Sequence, residues 1–243
     1  MITQYLKGRP RSRLDLSAVS LGFQYDSPVP TDYLTSLYSW YDTSDSVSSS
    51  GNGSRVRSIT DKGSKGNNLT TISGNPWHYT NVQNGKGAIF FNGTSFIAGS
   101  AQGSEAQPQT HFLVITPTGW GAGDQQEPVS MYNNSQCFYK PSGATTINTY
   151  AGNTLAGPSI GNNPYIIAAT FDSSQSILSV NGSSYYTGNT STGVASHNPT
   201  IGANGSSFGY TGYFMEWRVY KGLLTLAQIA QVKTYLNYKW AIY

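Results

Sequence analysis

Short apolar runs bounded by turn-forming residues recur through most of the chain, and they restrict its fold more than any other feature. The clearest runs are residues 88–91, 112–115 and 165–171. Runs of this length between turn residues are typical of strands buried between two sheets. The 27 glycines and the low charged fraction of 10% also suit many strands joined by tight turns. At 243 residues the chain is long enough for one large all-β domain.

The second half of the chain predicts a hairpin and a long strand. Residues 176–180 alternate in polarity and lead into Asn181-Gly182, a dipeptide that favours a tight turn because both residues accept positive φ. Residues 213–220 alternate over a longer stretch and predict another strand. Unbroken alternation would place four of its side chains on one face: Phe214, Glu216, Arg218 and Tyr220.

The C-terminal residues change to a helical period. Thr225 and Gln228 have the spacing of a capping box, in which the Thr oxygen accepts the amide of the third helical residue and Gln bonds back. An apolar stripe follows at intervals of three to four residues: Leu226, Ile229, Val232, Leu236 and Trp240. We expect an amphipathic helix that lies across the sandwich. A helix that offers its stripe to a partner is the alternative.

The first thirty residues differ from the rest, so we assign residues 1–30 to an extended N-terminal arm and residues 31–243 to the domain. Four cations occur in the arm: Lys7, Arg9, Arg11 and Arg13. The net charge of +3 consists of +4 from these positions and −1 from the remainder, so the domain is nearly neutral. No secretory signal or membrane-spanning stretch is recognisable, and we expect a chain made in a host cytoplasm.

An ordered set of motifs resembles the concanavalin A-like lectin/glucanase (laminin-G-like) domain family. The resemblance lies in residues 40–45, 61–70, 84–93, 170–172, 180–182, 201–202, 212–220, 224–225, 235–236 and 239–240. It covers about 200 residues and leaves the arm outside the match. The resemblance implies a two-sheet jelly-roll sandwich. The predicted fold is therefore an all-β antiparallel jelly roll with one C-terminal amphipathic helix, preceded by the extended N-terminal arm. It does not imply one function, since the fold is a scaffold for many.

The acidic residues argue against an enzyme. Glucanases of this family carry their carboxylates on one strand as Glu-x-Asp-x-x-Glu, and the pattern is absent from this sequence. We interpret Asp124 and Glu127 as solvated acids of a loop, and the resemblance gives Glu216 a structural hydrogen-bonding role. The three histidines are far apart in sequence: His78, His111 and His197. We therefore expect no catalytic residues and no cofactor.

Metal binding and cysteine chemistry receive little support from the sequence. Asp42, Asp45 and Asp61 are candidate calcium ligands, but they form no clustered loop motif, so the metal content stays open. The single cysteine, Cys137, is expected to be a small buried apolar residue.

The main functional hypothesis is a non-enzymatic structural protein of a phage or virus particle. The basic arm, anchored through Lys7, Arg9, Arg11 and Arg13, would hold the domain on other particle proteins such as a major capsid protein, as a capsid decoration, head fibre or tail component. Nucleic acid is disfavoured as a partner because four cations are a small patch. The location would be the virion, and the oligomeric state stays open.

The alternative hypothesis is a carbohydrate-binding adhesin or lectin module that binds cell-surface polysaccharide at the extracellular surface. A glycan site needs aromatic rings that stack on sugars, with amide side chains to bond hydroxyl groups. The candidate contacts are Trp77, Trp120, Tyr132 and Asn133. A glycoside hydrolase is the third and least favoured hypothesis.

Overall fold

The computed structural model describes residues 36–121, 123–131, 135–183, 185–193, 195–196, 198–205 and 207–243, which form an antiparallel two-sheet sandwich with a C-terminal helix. The predicted all-β sandwich is confirmed for these residues. The predicted arm, residues 1–30, lies outside them. No helix in the described part of the chain is long and apolar enough to cross a membrane.

Nineteen strands and one α-helix follow each other along the described residues. They are β1 (Leu37–Asp42), β2 (Val47–Ser49), β3 (Ser54–Ile59), β4 (Thr71–Ser73), β5 (Trp77–Gln83), β6 (Lys86–Asn92), β7 (Phe96–Ala98), β8 (Ser104–Glu105), β9 (Gln109–Pro117), β10 (Gln126–Met131), β11 (Gln136–Lys140), β12 (Thr146–Tyr150), β13 (Thr154–Ser159), β14 (Tyr165–Phe171), β15 (Ser176–Val180), β16 (Tyr186–Gly188), β17 (Ala195–Ser196), β18 (Pro199–Ile201), β19 (Thr211–Lys221) and α1 (Leu226–Trp240).

The strands form a ten-stranded and a seven-stranded sheet, and β8 pairs separately with β17. The larger sheet has the order β16-β15-β14-β9-β19-β6-β5-β3-β2, with β1 paired to β19, and the smaller has the order β13-β12-β11-β10-β18-β7-β4. The predicted strands at residues 165–171 and 176–180 are β14 and β15. The predicted hairpin joins β15 to β16, and Asn181 adopts a positive φ of 52° there.

Apolar side chains form one core between the sheets and a second between the ten-stranded sheet and α1. In β9, Leu113 belongs to the core between the sheets, whereas Phe112 and Val114 pack in the helix core. In β14, Ile167 belongs to the core between the sheets and Ile166 to the helix core. These central strands are buried on both faces, which explains their continuous apolar sequence.

The helix α1 begins and packs as the sequence predicted. The Thr225 side chain accepts a hydrogen bond from the Gln228 amide, and the Gln228 side chain accepts one from the Thr225 amide, which completes the capping box. Four members of the predicted stripe are buried against the ten-stranded sheet: Ile229, Val232, Leu236 and Trp240. Leu226 instead stays 57% exposed at the first turn.

A β-bulge in β19 changes which face its side chains occupy. The register of β19 against β9 slips by one residue between Phe214 and Glu216. Phe214 packs between the sheets, while Met215 packs in the helix core and Glu216 bonds to residues of α1. The prediction that Phe214 and Glu216 share a face is wrong, because the extra residue of the bulge reverses the alternation.

The bulge directs Glu216 into a buried ionic network beneath α1. Four groups donate to its carboxylate: Trp40 Nε1 at 2.8 Å, Arg218 Nε at 2.6 Å, Lys239 Nζ at 2.8 Å and Trp240 Nε1 at 2.7 Å. Burial alone would lower the pKa of Lys239, but Glu216 and Asp42 raise it, so the ammonium stays charged. Glu216 thus has the structural hydrogen-bonding role expected for it, and it fastens α1 to β1 and β19.

Candidate functional site

Trp120 belongs to the core and does not lie on the surface. Its side chain is 3% exposed, its Nε1 donates to the Thr145 carbonyl at 3.0 Å, and its ring meets Tyr210 edge-on. The backbone amide of Trp120 donates to Asn162 Oδ1 at 3.0 Å. The indole folds back from a glycine-flanked loop and closes one end of the sandwich. Because no ring face is free to stack on a sugar, glycan contact at Trp120 is not supported.

Of the other predicted contacts, Trp77 alone lies among the described residues. Trp77 is half-buried in β5 of the ten-stranded sheet, and the Arg55 guanidinium carbon lies 5.9 Å from its ring centroid. Tyr132 and Asn133 lie outside the described residues, as do the four cations of the arm: Lys7, Arg9, Arg11 and Arg13. Glycan contact at Trp77, Tyr132 and Asn133, and anchoring by the cations, stay predictions.

The candidate calcium ligands serve the fold. The Asp61 carboxylate accepts the backbone amides of Trp40, Gly63 and Asn67 at 2.7–2.9 Å. Lys62 Nζ lies 3.4 Å from Asp42 and 2.8 Å from Asp45. Within the described ranges, no group of three His, Cys, Asp or Glu side chains is arranged to hold a metal ion.

The face of the seven-stranded sheet that points away from the ten-stranded sheet, called the outer face below, carries a polar and aromatic row. Cross-strand pairing aligns Ser130, Cys137, Tyr150 and Thr154 on four adjacent strands. Residues directly opposite each other in antiparallel strands share a face. Phe138, the neighbour of Cys137, packs between the sheets, so the row points outward. Tyr139 follows Phe138 and therefore points outward as well.

A second bulge places Glu127 on the outer face. The register of β10 against β11 slips by one residue between Gln126 and Val129. Val129 packs between the sheets, and unbroken alternation would have placed Glu127 there too. The extra residue re-aims Glu127, and the bulge also accommodates Pro128 inside a strand that pairs on both sides. Glu127 is fully buried in β10, so the interpretation as a solvated loop acid is wrong.

These side chains line a cavity of about 170 Å³. Its described lining consists of Gln125, Glu127, Cys137, Tyr139, Tyr150 and Thr154. Tyr139 and Tyr150 are half-buried and form its aromatic walls. The Tyr139 hydroxyl lies 2.6 Å from Thr154 Oγ1, and Gln125 Nε2 donates to Glu127 Oε1 at 2.8 Å. Hydrogen bonds thus hold one aromatic wall, Tyr139, and the polar side chains of Gln125, Glu127 and Thr154 in place around the opening.

Burial sets the protonation of the cavity floor. Desolvation raises the pKa of Glu127 to about 7, against the hydrogen bond from Gln125, which lowers it. Near neutral pH the carboxyl group is therefore both donor and acceptor. Burial, and then the charge of Glu127, raise the pKa of the Cys137 thiol well above its usual range, so this cysteine stays neutral. As predicted, Cys137 is a small buried residue.

Sequence reasoning missed every described residue of this cavity except Glu127 and Cys137, whose roles it assigned differently. The available signal was alternation: Cys137 and Tyr139 are two residues apart, as are Asn148 and Tyr150. Period two places each pair on one face of its strand. The position of Glu127 had no such signal because a bulge determines it.

Comparisons with known proteins identify the fold. No protein-family model matches the chain, and no curated protein matches it in sequence. Among solved structures, domain 4 of AbnA, a GH43 extracellular arabinanase from Geobacillus stearothermophilus in complex with arabinotriose, superposes with a TM-score of 0.59 at 16% identity. The match covers 81% of this chain and 98% of that one.

Two larger proteins contain a similar sandwich. A GH54 α-L-arabinofuranosidase matches with a TM-score of 0.59 at 13% identity, over 82% of this chain and 58% of that chain. The binding domain of botulinum neurotoxin serotype D matches with a TM-score of 0.59 at 7% identity, over 86% of this chain and 53% of that chain. This chain thus spans little more than half of either protein. Such identities show a shared two-sheet sandwich fold alone, and the assignment to phage virion proteins stays a prediction.

Proposed function

We propose that this protein is a non-catalytic carbohydrate-binding module whose site is the cavity on the outer face of the seven-stranded sheet. The observation that carries the proposal is the pairing of two half-buried tyrosines, Tyr139 and Tyr150, with the hydrogen-bonding side chains of Gln125, Glu127 and Thr154. A sugar ring has apolar faces and hydroxyl-bearing edges. Aromatic walls beside amide, carboxyl and hydroxyl groups complement both features.

The size of the cavity suits one sugar unit. Its volume of about 170 Å³ is below the roughly 300–1,000 Å³ of sites that enclose drug-sized ligands. A larger glycan would have to extend beyond it. The arabinanase domain of similar fold was solved in complex with arabinotriose, and this supports a sugar ligand only as an analogy of fold.

Binding is favoured over hydrolysis because of the number of carboxyl groups. Glycosidases use two of them, about 5–9.5 Å apart, one on each side of the scissile bond. Glu127 has the raised pKa of a general acid, but it is the only carboxyl among the described residues that line the cavity. Without a second group, no described residue there would serve as nucleophile or base.

The particle-protein hypothesis now ranks below this proposal. It depends on residues 1–30, which lie outside the described residues, and the solved structures contribute nothing to it. The carbohydrate-binding alternative, by contrast, has a defined cavity and a fold shared with carbohydrate-active proteins. The two hypotheses are compatible if a particle protein displays the sandwich.

The proposal can be tested by titration calorimetry of the full chain with neutral arabino-, xylo- and gluco-oligosaccharides. Tyr139→Ala and Tyr150→Ala should each weaken binding by about tenfold or more, since each removes one aromatic wall. Tyr238→Ala is the matched control, because Tyr238 is a 63% exposed tyrosine of α1. Absence of binding by the wild type, or binding by both cavity variants with the affinity of the wild type, would overturn the proposal.

A further inference from the structure

A second, wider cavity of about 700 Å³ adjoins the first one. Its described lining includes Phe208, with Asp124, Gln125, Ser142, Ser207 and Thr211 around it. Gln125 lines both cavities, so they share a wall. The backbone amide of Glu127, on the floor of the first cavity, donates to the Phe208 carbonyl at 2.8 Å. The two cavities are therefore neighbours at the start of β10.

Phe208 is an unusual residue for its position. Its backbone has a φ of +57°, in the left-handed region that favours glycine or asparagine, and its side chain is 39% exposed. If this position only formed a turn, Gly or Asn would adopt the conformation at a lower energy than Phe. Residues held in sparsely populated backbone regions cluster at functional sites, so this exposed ring is a candidate for ligand contact.

Backbone contacts hold the described residues next to Phe208. A Cβ added to Gly209 would lie 1.8 Å from the Gly93 carbonyl oxygen, so the two backbones are in direct contact. The amide of Tyr210 donates to Gly202 at 2.8 Å, and Asn204 and Ser207 exchange backbone hydrogen bonds. These contacts fix the backbone next to Phe208, which reduces the loop entropy that is lost when a ligand binds.

Charge around the two cavities indicates the kind of ligand. The charged side chains in their described lining are two acids, Asp124 and Glu127. The nearby ammonium of Lys140 is buried and donates to three backbone carbonyls: Gly123 at 3.1 Å, Pro141 at 3.2 Å and Ala144 at 3.4 Å. It is thus held by the fold and is not directed at a ligand. A polyanion would meet only acids here, whereas a neutral glycan meets hydrogen-bonding groups and a ring.

We propose that Phe208 forms a second sugar-binding subsite and that the two cavities bind successive units of one neutral polysaccharide chain. This inference rests on the proposed function and adds its substrate class, an uncharged polymer recognised along its length. The first cavity takes one unit between Tyr139 and Tyr150. The chain then passes Gln125, and a later unit stacks on the Phe208 ring.

The test is a length series of neutral arabino-, xylo- and gluco-oligosaccharides of one to six units, titrated against the full chain. Wild-type affinity should rise by about tenfold once the oligomer is long enough to reach Phe208. Phe208→Gly should abolish that gain without weakening the shortest ligand that binds. Phe208→Tyr, which keeps a ring, should retain it.

Two controls separate binding from folding. Phe208→Gly should keep a melting temperature close to that of the wild type, because glycine adopts this φ without strain. Tyr186→Ala removes another 39% exposed aromatic side chain and should leave every affinity unchanged.

Each contrary result has a distinct meaning. If short oligomers bind through Tyr139 and Tyr150 but affinity does not grow with length, the second subsite is overturned and the proposed function stands. Equal losses for short and long oligomers in Phe208→Gly would also overturn it. Tighter binding of polygalacturonate than of the neutral series would overturn the neutral class. Binding of no oligomer would overturn both proposals.

Discussion

Replacing Glu127 with glutamine should stabilise the protein at pH 8 and leave its stability nearly unchanged at pH 4. The carboxyl group has a pKa of about 7 in the fold, compared with its ordinary value of 4.5 in an unfolded chain. Glutamine has the shape of the protonated acid and can keep the partnership with Gln125. The substitution therefore removes only the cost of a buried negative charge.

Proton linkage gives the direction and the magnitude of this change in stability. The folded-state pKa lies above the unfolded value, so the folded protein retains the proton of Glu127 between pH 4.5 and 7. This proton retention stabilises the fold fully below pH 4.5, and the stabilisation is lost as the pH rises through 7. At about 1.4 kcal/mol for each unit of pKa difference, the wild type should lose up to about 3 kcal/mol that the glutamine variant does not lose.

Urea unfolding of both proteins at pH 4, 6 and 8 measures this difference. Titration of other groups cancels when the two proteins are compared at the same pH. Glu105→Gln is a control of opposite sign, because a hydrogen bond from Tyr38 lowers the pKa of Glu105. A stability difference between Glu127→Gln and wild type that is independent of pH would refute the assignment of a buried, proton-retaining carboxyl.

Two further predictions concern the fold. Glu216→Gln should lower the free energy of unfolding in urea by about 3 kcal/mol, because it leaves buried cations without their shared carboxylate. The control Asp45→Asn, at a 58% exposed carboxylate, should lower it by less than about 1 kcal/mol. Equal effects of the two substitutions would mean that the buried network does not stabilise the fold. Gly209→Ala should lower stability by about 2 kcal/mol or more, since its Cβ would lie 1.8 Å from the Gly93 oxygen, and an unchanged melting temperature would contradict that packing.

Local sequence signals predicted the elements of the fold well. The apolar run at residues 165–171 coincides with β14, the alternating segment at residues 176–180 coincides with β15, and the capping box at Thr225 begins α1. These signals succeed because they depend on neighbouring residues alone: alternation, turn chemistry and the first turn of a helix. The apolar stripe of α1 also identified the face that packs against the sheet.

The candidate site was largely beyond such signals. Trp120, between two glycines, has the sequence of an exposed loop residue, yet its indole fills the end of the core. Glu127 and Glu216 point where they do because each lies at a one-residue slip in register. A bulge forms through pairing with a distant strand, so nothing in the adjacent sequence announces it. Phe208 likewise became noticeable only through its backbone conformation.

The bulge in β10 sets two residues, Glu127 and Pro128, opposite the single residue Tyr139 of β11. Loss of Pro128 would bring the strand back into phase with β11 and leave Glu127 opposite Tyr139 on the outer face. Loss of Glu127 would leave proline at that point and remove the carboxyl group from the cavity, while the sandwich around it kept its strand order. Alignments of distant relatives that match strands by hydrophobic pattern will be out of phase by one there. Loss of the single codon for Glu127 is thus a short evolutionary route from a sandwich with a carboxyl group in this cavity to one without it.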